Sequence, residues 1–343
     1  MIKLIKGRVK VNKIRTKSIN ICNLCVPCCC HCRYCLLSYE GKLVGVDYFR
    51  GLNYAKRFKK WLSNVHPDVN FMYYFGYSIE TPNLLKSIDD LKEVNSVMTS
   101  FLQFNGLNIR QKDELEKYLQ EIKANGIKLI DITFYGLKDS HDKFAGRKGD
   151  FDYLMQIVEY AKKIELNFQI GVAVTGENLN ELEDLISILE KFTNNIRLFV
   201  PHCGGRGKYI ENIKISKFDY EKLSDRVKKY FNRESFKTIS EWNNSKLSEV
   251  KERVLSLSLL STNIDELENQ SFEKTYQSLE KLDEDFYSNF PSLKELLNMY
   301  KGVDDDSLYS KKGVYAYLRR RYIEDNNLDI QDIDERFSYS VRI

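Results

Sequence analysis

Apolar runs and amphipathic stretches alternate along this chain. KSINIC, VNFMYYF, SVMTSFLQF, KLIDITF, NFQIGVAVT and NIRLFV read as strands. Between them, apolar residues fall at three- and four-residue steps near Asp47 to Val65, after Thr81-Pro82, near Lys112 to Ala124, from about Phe151, and near Asn180 to Lys191. Strand and helix in alternation mark parallel βα units, so the expected class is α/β. The stretch 233–343 reads as helical: KLSEVKERVLSLSLL and NIDELENQSFEKTYQSLEKL carry acid-rich faces, SLKELLNMY follows, and GVYAYLRRRYI ends in a basic turn. Three segments are expected: an N-terminal strand segment 1–16, an alternating domain 17–232 and a helical extension 233–343.

Charge changes this picture little. The 343 residues carry a formal charge of +4, with 43% hydrophobic and 30% charged residues, the balance of a folded globular protein. MIKLIKGRVKVNKIRTK holds seven Lys or Arg and no acid. Ile5, Val9 and Val11 recur there at a roughly two-residue period, which favours a half-exposed strand over a nucleic-acid patch. No apolar run approaches the roughly 18 residues of a membrane span. A secretory signal pattern is absent as well, so the chain is expected in the reducing cytoplasm. There, clustered cysteines read as metal or catalytic ligands rather than disulfides.

Cysteine supplies the candidate chemistry. Of eight cysteines, seven lie between Cys22 and Cys35 in CNLCVPCCCHCRYC. Cys22-x2-Cys25 and Cys32-x2-Cys35 are spaced as two zinc knuckles. Cys22, Cys25, Cys28 and Cys32 follow the C-x2-C-x2-C-x3-C run of bacterial ferredoxins, with Arg33 in place of the following proline. A third pattern, C-x3-C-x2-C, binds three irons of a [4Fe–4S] cluster and leaves the fourth open. Two registers satisfy it: Cys25, Cys29, Cys32 and Cys28, Cys32, Cys35.

The second register places Tyr34 before its last cysteine and resembles the C-x3-C-x-aromatic-C signature of the radical SAM enzymes. Further segments resemble that family at the ends of expected strands. FGYSIETP resembles the stretch that holds the methionine end of S-adenosylmethionine, with Gly76 and Pro82 matching, Tyr77 and Ser78 in place of Gly-Glu, and Glu80 late. TFYGLKDSHDKFAGRKGDF resembles the S-x-D-G, H-D-x-x-R-G and G-S-F stretch of peptide-modifying members, with Thr133 for the ribose-contacting serine and Tyr135 for the aspartate. PHCGGRGKY resembles a P-x-x-G-R-G turn.

The resemblance implies a partial (β/α)6 TIM-like barrel over about 17–232, with chemistry at the C-terminal strand ends. It implies a [4Fe–4S] cluster on Cys28, Cys32 and Cys35, and S-adenosylmethionine held by Tyr34, Gly76, Tyr77, Ser78, Glu80, Thr133 and Arg147, the last as a carboxylate clamp unless it pairs with Asp142 or Asp150. Cys22, Cys25, Cys29 and Cys30 are then additional. The implied enzyme is oxygen-sensitive and takes electrons from a donor such as flavodoxin or ferredoxin. Its 5′-deoxyadenosyl radical takes a hydrogen atom from a substrate, with a peptide or protein favoured over nucleic acid. Cys203, at the end of the sixth strand, is the candidate to return a hydrogen atom, against the alternative of a small buried residue. From residue 204 onward there is no cysteine for an auxiliary cluster. The alternative is a non-catalytic iron–sulfur or zinc protein. Arg319, Arg320 and Arg321 are expected as solvated residues of a helical cap rather than a docking patch for an acidic leader.

Overall fold

Ile19, Ile21, Phe71 and Tyr73 are buried at every second position, and this period of two becomes adjacent parallel strands. The computed structural model describes residues 18–23, 28–35, 45–74, 84–95, 101–202, 204–247, 255–303 and 305–329. All six expected strands are present: β1 (Ser18–Asn23), β2 (Asn70–Tyr74), β3 (Phe101–Gln103), β4 (Leu129–Phe134), β5 (Asn167–Ala173) and β6 (Ile196–Phe199). Strands β3 to β6 form one parallel sheet in chain order. β1 and β2 pair in a second parallel sheet. The architecture is α/β with parallel strands and crossover helices, the partial barrel anticipated above.

Side chains that point outward from the sheets make the core. Ile130, Ile132 and Phe134 of β4 and Ile170 and Val172 of β5 pack with Leu119, Leu154, Ile157 and Leu185 of the flanking helices. The inward positions of the same strands are polar or small: Gln103, Asp131 and Gln169 share one register row, and Thr133, Gly171 and Arg197 the next. Hydrophobic burial therefore lies between sheet and helices, leaving the lumen to chemistry.

The region expected to be helical also contains three strands among the described residues. Leu255–Leu259 is a strand, β8, which follows the short β7 (Phe236–Lys237) and runs parallel to β1 with Ile21 opposite Leu257. LSLSL has the strand period: Leu255, Leu257 and Leu259 are buried beside Ile19 and Ile21. The three- and four-residue spacing just before it in the sequence had suggested one continuous helix. Helix Phe272–Asn289 then places Tyr276, Leu279 and Phe286 in that same core. A last strand, β9 (Tyr309–Ser310), pairs antiparallel with β7. The arginines in helix Lys311–Asp325 also differ from a solvated patch. Arg319 is 1% exposed, with its guanidinium 4.1 Å from the Tyr315 ring centre, while Arg320 pairs with Glu211. Among the described residues no helix is long and apolar enough to cross a membrane.

Candidate active site at the C-terminal strand ends

The cysteine loop lies across the C-terminal ends of the strands and is fastened there by backbone bonds. Cys29 N–H donates to the Gly106 carbonyl at 2.9 Å, His31 N–H to Ala145 at 2.7 Å, and Arg33 N–H to Phe144 at 3.0 Å. From the loop after β6, Arg206 N–H reaches the Cys35 carbonyl at 3.0 Å. Two glycines permit this. Gly106 has φ +78°, and a Cβ there would stand 2.0 Å from Cys28 Sγ. A Cβ on Gly207 would stand 1.9 Å from the His202 carbonyl oxygen. The loops after β3, β4 and β6 thus each fix part of the cysteine segment.

Cys28, Cys32, Cys35 and Tyr34 line one wall of a cavity of about 350 Å³, and Gln103, Asn105, Thr133, Arg197, Phe199 and His202 line others. Tyr34 stacks on Phe144 with ring centres 5.5 Å apart and meets Phe199 edge-on at 6.2 Å. Asn105 ties the ends of two strands together: its side chain donates to the Thr133 carbonyl and accepts from the Thr133 N–H, both at 2.8 Å. Phe236 and Ser310, from β7 and β9, complete the cavity wall. Cys30 also lines the cavity, whereas Cys29 turns its thiol to Asn108 Oδ1 at 3.2 Å. Cys22 is buried on β1.

The thiols are grouped closely enough to perturb one another. Donation of its S–H to the Cys30 sulfur, then burial, pushes the Cys28 thiol far above the usual thiol range. Cys30 is also raised: its bond with Cys28 lowers it, but Cys32 and burial outweigh that. Ionising several thiols so close together needs compensating positive charge, of the kind a bound metal would supply. Among the described residues no three His, Cys, Asp or Glu side chains converge on a single-ion site. A donor set of thiols spread around one cavity wall fits a multi-iron body, which takes each thiolate at a different iron.

Arg147 is placed elsewhere. Its guanidinium closes on Asp150 and on the Leu107 carbonyl, so the pairing with Asp150 is the one formed. Asp150 also meets His141 Nε2 at 3.0 Å and lies 3.7 Å from Cys30 Sγ, while His141 Nδ1 accepts the Tyr135 N–H at 3.1 Å. Asp142 accepts the N–H groups of Gly149 at 2.6 Å and Phe151 at 2.9 Å. The H-D-x-x-R-G stretch is therefore a buried support beneath the loop. Burial by itself raises the Asp150 pKa, yet the His141 bond and the Arg147 charge bring it below the ordinary carboxylate value. Gly76, Tyr77, Ser78, Glu80, Cys25 and Cys203 lie outside the described residues. Sequence reasoning passed over Asn105 and Arg197. For Arg197 the available clue was the alternation in NIRLFV, which turns it inward.

A family model described as the Radical SAM superfamily matches residues 17–189. A GTP 3′,8-cyclase of Clostridium botulinum is 26% identical over 229 residues, covering 64% of this chain and 66% of that relative. The match thus spans just under two thirds of the relative's length. An AdoMet-dependent heme synthase of Nitratidesulfovibrio vulgaris is 31% identical over 111 residues, 31% of this chain and 30% of the relative. Among solved structures, Streptococcus suis SuiB bound to precursor peptide SuiA superposes with a TM-score of 0.52 at 12% identity, covering 88% of this chain and 76% of that one. This last similarity is one of fold.

Proposed function

The chain belongs to the radical SAM superfamily, whose members use a [4Fe–4S] cluster and S-adenosylmethionine, and from that premise we propose an enzyme acting on a peptide or protein. When bound, the two cofactors supply reductive cleavage of the C5′–S bond and a 5′-deoxyadenosyl radical that takes a hydrogen atom from the substrate. The observation that carries the reading is the cavity itself, lined by Cys28, Cys32 and Cys35 at the C-terminal strand ends.

Each residue then has a task. Cys28, Cys32 and Cys35 hold the cluster, and the Gly106 and Arg206 backbone bonds fix the spacing of those thiols. Tyr34, stacked on Phe144 and edge-on to Phe199, gives the cofactor an aromatic wall. Thr133, with its backbone tied to Asn105, offers a hydroxyl to the ribose. Gly76, Tyr77, Ser78 and Glu80 are assigned the methionine end. Phe236 and Ser310 narrow the cavity and keep bulk water from it. Arg147 supports the loop rather than clamping a carboxylate. The peptide class rests on the resemblance of the Thr133–Phe151 stretch to peptide-modifying members.

The test is made on anaerobically reconstituted, dithionite-reduced protein. The expected result is a reduced-cluster EPR signal that changes when S-adenosylmethionine is added, with 5′-deoxyadenosine formed. Bound zinc without iron, or a signal indifferent to S-adenosylmethionine, would leave the non-catalytic reading. Peptides should then stimulate 5′-deoxyadenosine formation. Consumption of GTP with no response to peptides would overturn the substrate class alone.

A further inference from the structure

The polar row inside the barrel is not accounted for by cofactor binding. Asp131 of β4 accepts Gln169 Nε2 from β5 at 3.0 Å and an Arg197 guanidinium N–H from β6 at 3.3 Å. Asp131 is 1% exposed, but the Arg197 side chain is 57% exposed. Arg197 lines the same cavity as Cys28, Cys32 and Cys35, and it is the only Lys or Arg among the described lining residues.

Register places this group in depth. Arg197 lies opposite Gly171, which lies opposite Thr133, while Asp131 is one inward position earlier on β4, level with Gln103. In bonding to Asp131 the guanidinium runs toward the N-terminal side of the strands, away from the cysteine loop. Its head therefore sits below the layer of Thr133 and Asn105. A group that meets it lies in the lumen below that layer.

The pair is poorly suited to holding the fold together. A single long hydrogen bond uses one of five guanidinium donors, and the exposed remainder borders the cavity. Burial raises the Asp131 pKa despite Arg197 and Gln169, so ionising this carboxylate opposes folding. What the arrangement does provide is orientation: Gln169 fixes Asp131, and Asp131 fixes one edge of a planar fork whose other edge matches two oxygens of a carboxylate.

We propose that Arg197, positioned by Asp131 and Gln169, binds the carboxylate of an acidic side chain of the peptide substrate, inside the barrel below the layer of Thr133 and Asn105. This rests on the peptide reading given above, and it adds the acidic group that the substrate must carry near its reacting position.

The test uses the full chain, reconstituted anaerobically with its cluster and saturated with S-adenosylmethionine, but without reductant, so that binding is measured apart from turnover. The probes are the amidated pentapeptides Gly-Gly-Glu-Gly-Gly and Gly-Gly-Gln-Gly-Gly, together with inorganic phosphate, each followed by calorimetric titration. The Glu peptide should bind about tenfold more tightly than the Gln peptide, the factor that one charge-assisted pair supplies. Arg197→Met should erase that difference and Arg197→Lys should retain part of it. Affinity for S-adenosylmethionine, read from the same protein, should stay within about twofold in both variants, a change of under roughly 0.5 kcal/mol. Equal binding of the two peptides by the unaltered chain would overturn the proposal. So would a large loss of S-adenosylmethionine affinity in both variants, since Arg197 would then serve the cofactor, and so would a stronger response to phosphate than to the Glu peptide. A chain that fails to cleave S-adenosylmethionine but still separates the two peptides would sink the radical reading and keep this one.

Discussion

Asp150, beneath the cysteine loop, and Asp131, in the barrel lumen, are both 1% exposed, and their surroundings are opposite. Asp150 is enclosed by His141 and by Arg147, itself only 11% exposed, with another arm of that guanidinium on the Leu107 carbonyl. The net effect holds its pKa below the ordinary carboxylate value, so its charge favours the folded state. Asp131 has an amide and a half-open arginine, and its pKa is raised. The first network is complete without a ligand. The second leaves donors free at a cavity, at some expense to folding. Interior charge that is closed on itself supports a loop, and interior charge left half-open marks where something else is to bind.

The largest effect should come from disturbing the closed side at its tightest point. A Cβ on Gly106 would stand 2.0 Å from Cys28 Sγ, and the residue's φ of +78° already disfavours a side chain. Gly106→Ala should remove most of the iron that the chain retains, measured as iron per chain and as EPR intensity. Gly126 is the control: its φ is +84°, but a Cβ there meets nothing within 4 Å. Gly126→Ala should cost roughly 1 kcal/mol of stability and leave iron content unchanged. Equal iron in the two variants would show that the loop is not held as tightly as its bonds indicate.

Next in size is Asp150→Asn. Removing one partner from a buried charge network costs about 3–5 kcal/mol, and the isosteric amide recovers part of that. Chemical denaturation should therefore show a loss of roughly 2–4 kcal/mol at neutral pH. The sign with pH follows from the lowered pKa. Stability from Asp150 is fully present above the usual 3.8 and disappears as pH falls below it, through the folded value. The acid limb of the stability curve should flatten in the variant. A loss under about 0.5 kcal/mol would place the support of the loop elsewhere.

These two regions were unequally legible in the sequence. Alternating strand and helix patterns located all six strands, because burial on the outer face imposes strong periodicity on Ile130, Ile132, Ile170 and their neighbours. The spacing of Cys28, Cys32 and Cys35 was likewise readable, since a cluster constrains covalent spacing directly. β8 was missed because its five residues follow a helical spacing with no turn signal between. Arg147 carried a readable motif but an ambiguous partner: spacing could not decide between a ligand and Asp150, which depends on how helix Asp150–Lys163 docks. Arg197 had no motif at all. Its role depends on three strands brought level by sheet register, which a single sequence does not display.

Smaller effects test the open side. Asp131→Asn removes a charge that burial disfavours, so stability at neutral pH should change by less than about 1 kcal/mol, in contrast to Asp150→Asn. The pH dependence should be reversed. A raised folded pKa means that this group's contribution is present below the usual 3.8 and is lost as pH rises through the folded value, and the variant should abolish that decline. A loss of 2 kcal/mol or more would mean that Asp131 and Arg197 form a structural pair after all.

The smallest effect is expected in the other parallel sheet, on β8. Ser258 of β8 is 1% exposed, and its Oγ is buried without a hydrogen-bond partner, as is Asn20 Oδ1 on β1. A buried hydroxyl that makes no bond contributes desolvation cost and little else, so Ser258→Ala should leave stability within about 0.5 kcal/mol or raise it slightly. Thermal or denaturant unfolding of the two alanine and asparagine variants, Ser258→Ala and Asp131→Asn, should then look alike, and both should differ from Asp150→Asn. A clear destabilisation of Ser258→Ala, above roughly 1.5 kcal/mol, would mean that this hydroxyl is engaged in the folded protein and that the β1–β8 wall is closed like the Asp150 network. Near-neutrality would place the Ser258 hydroxyl with the Asp131 carboxylate, as a buried polar group that folding does not require to be paired from within.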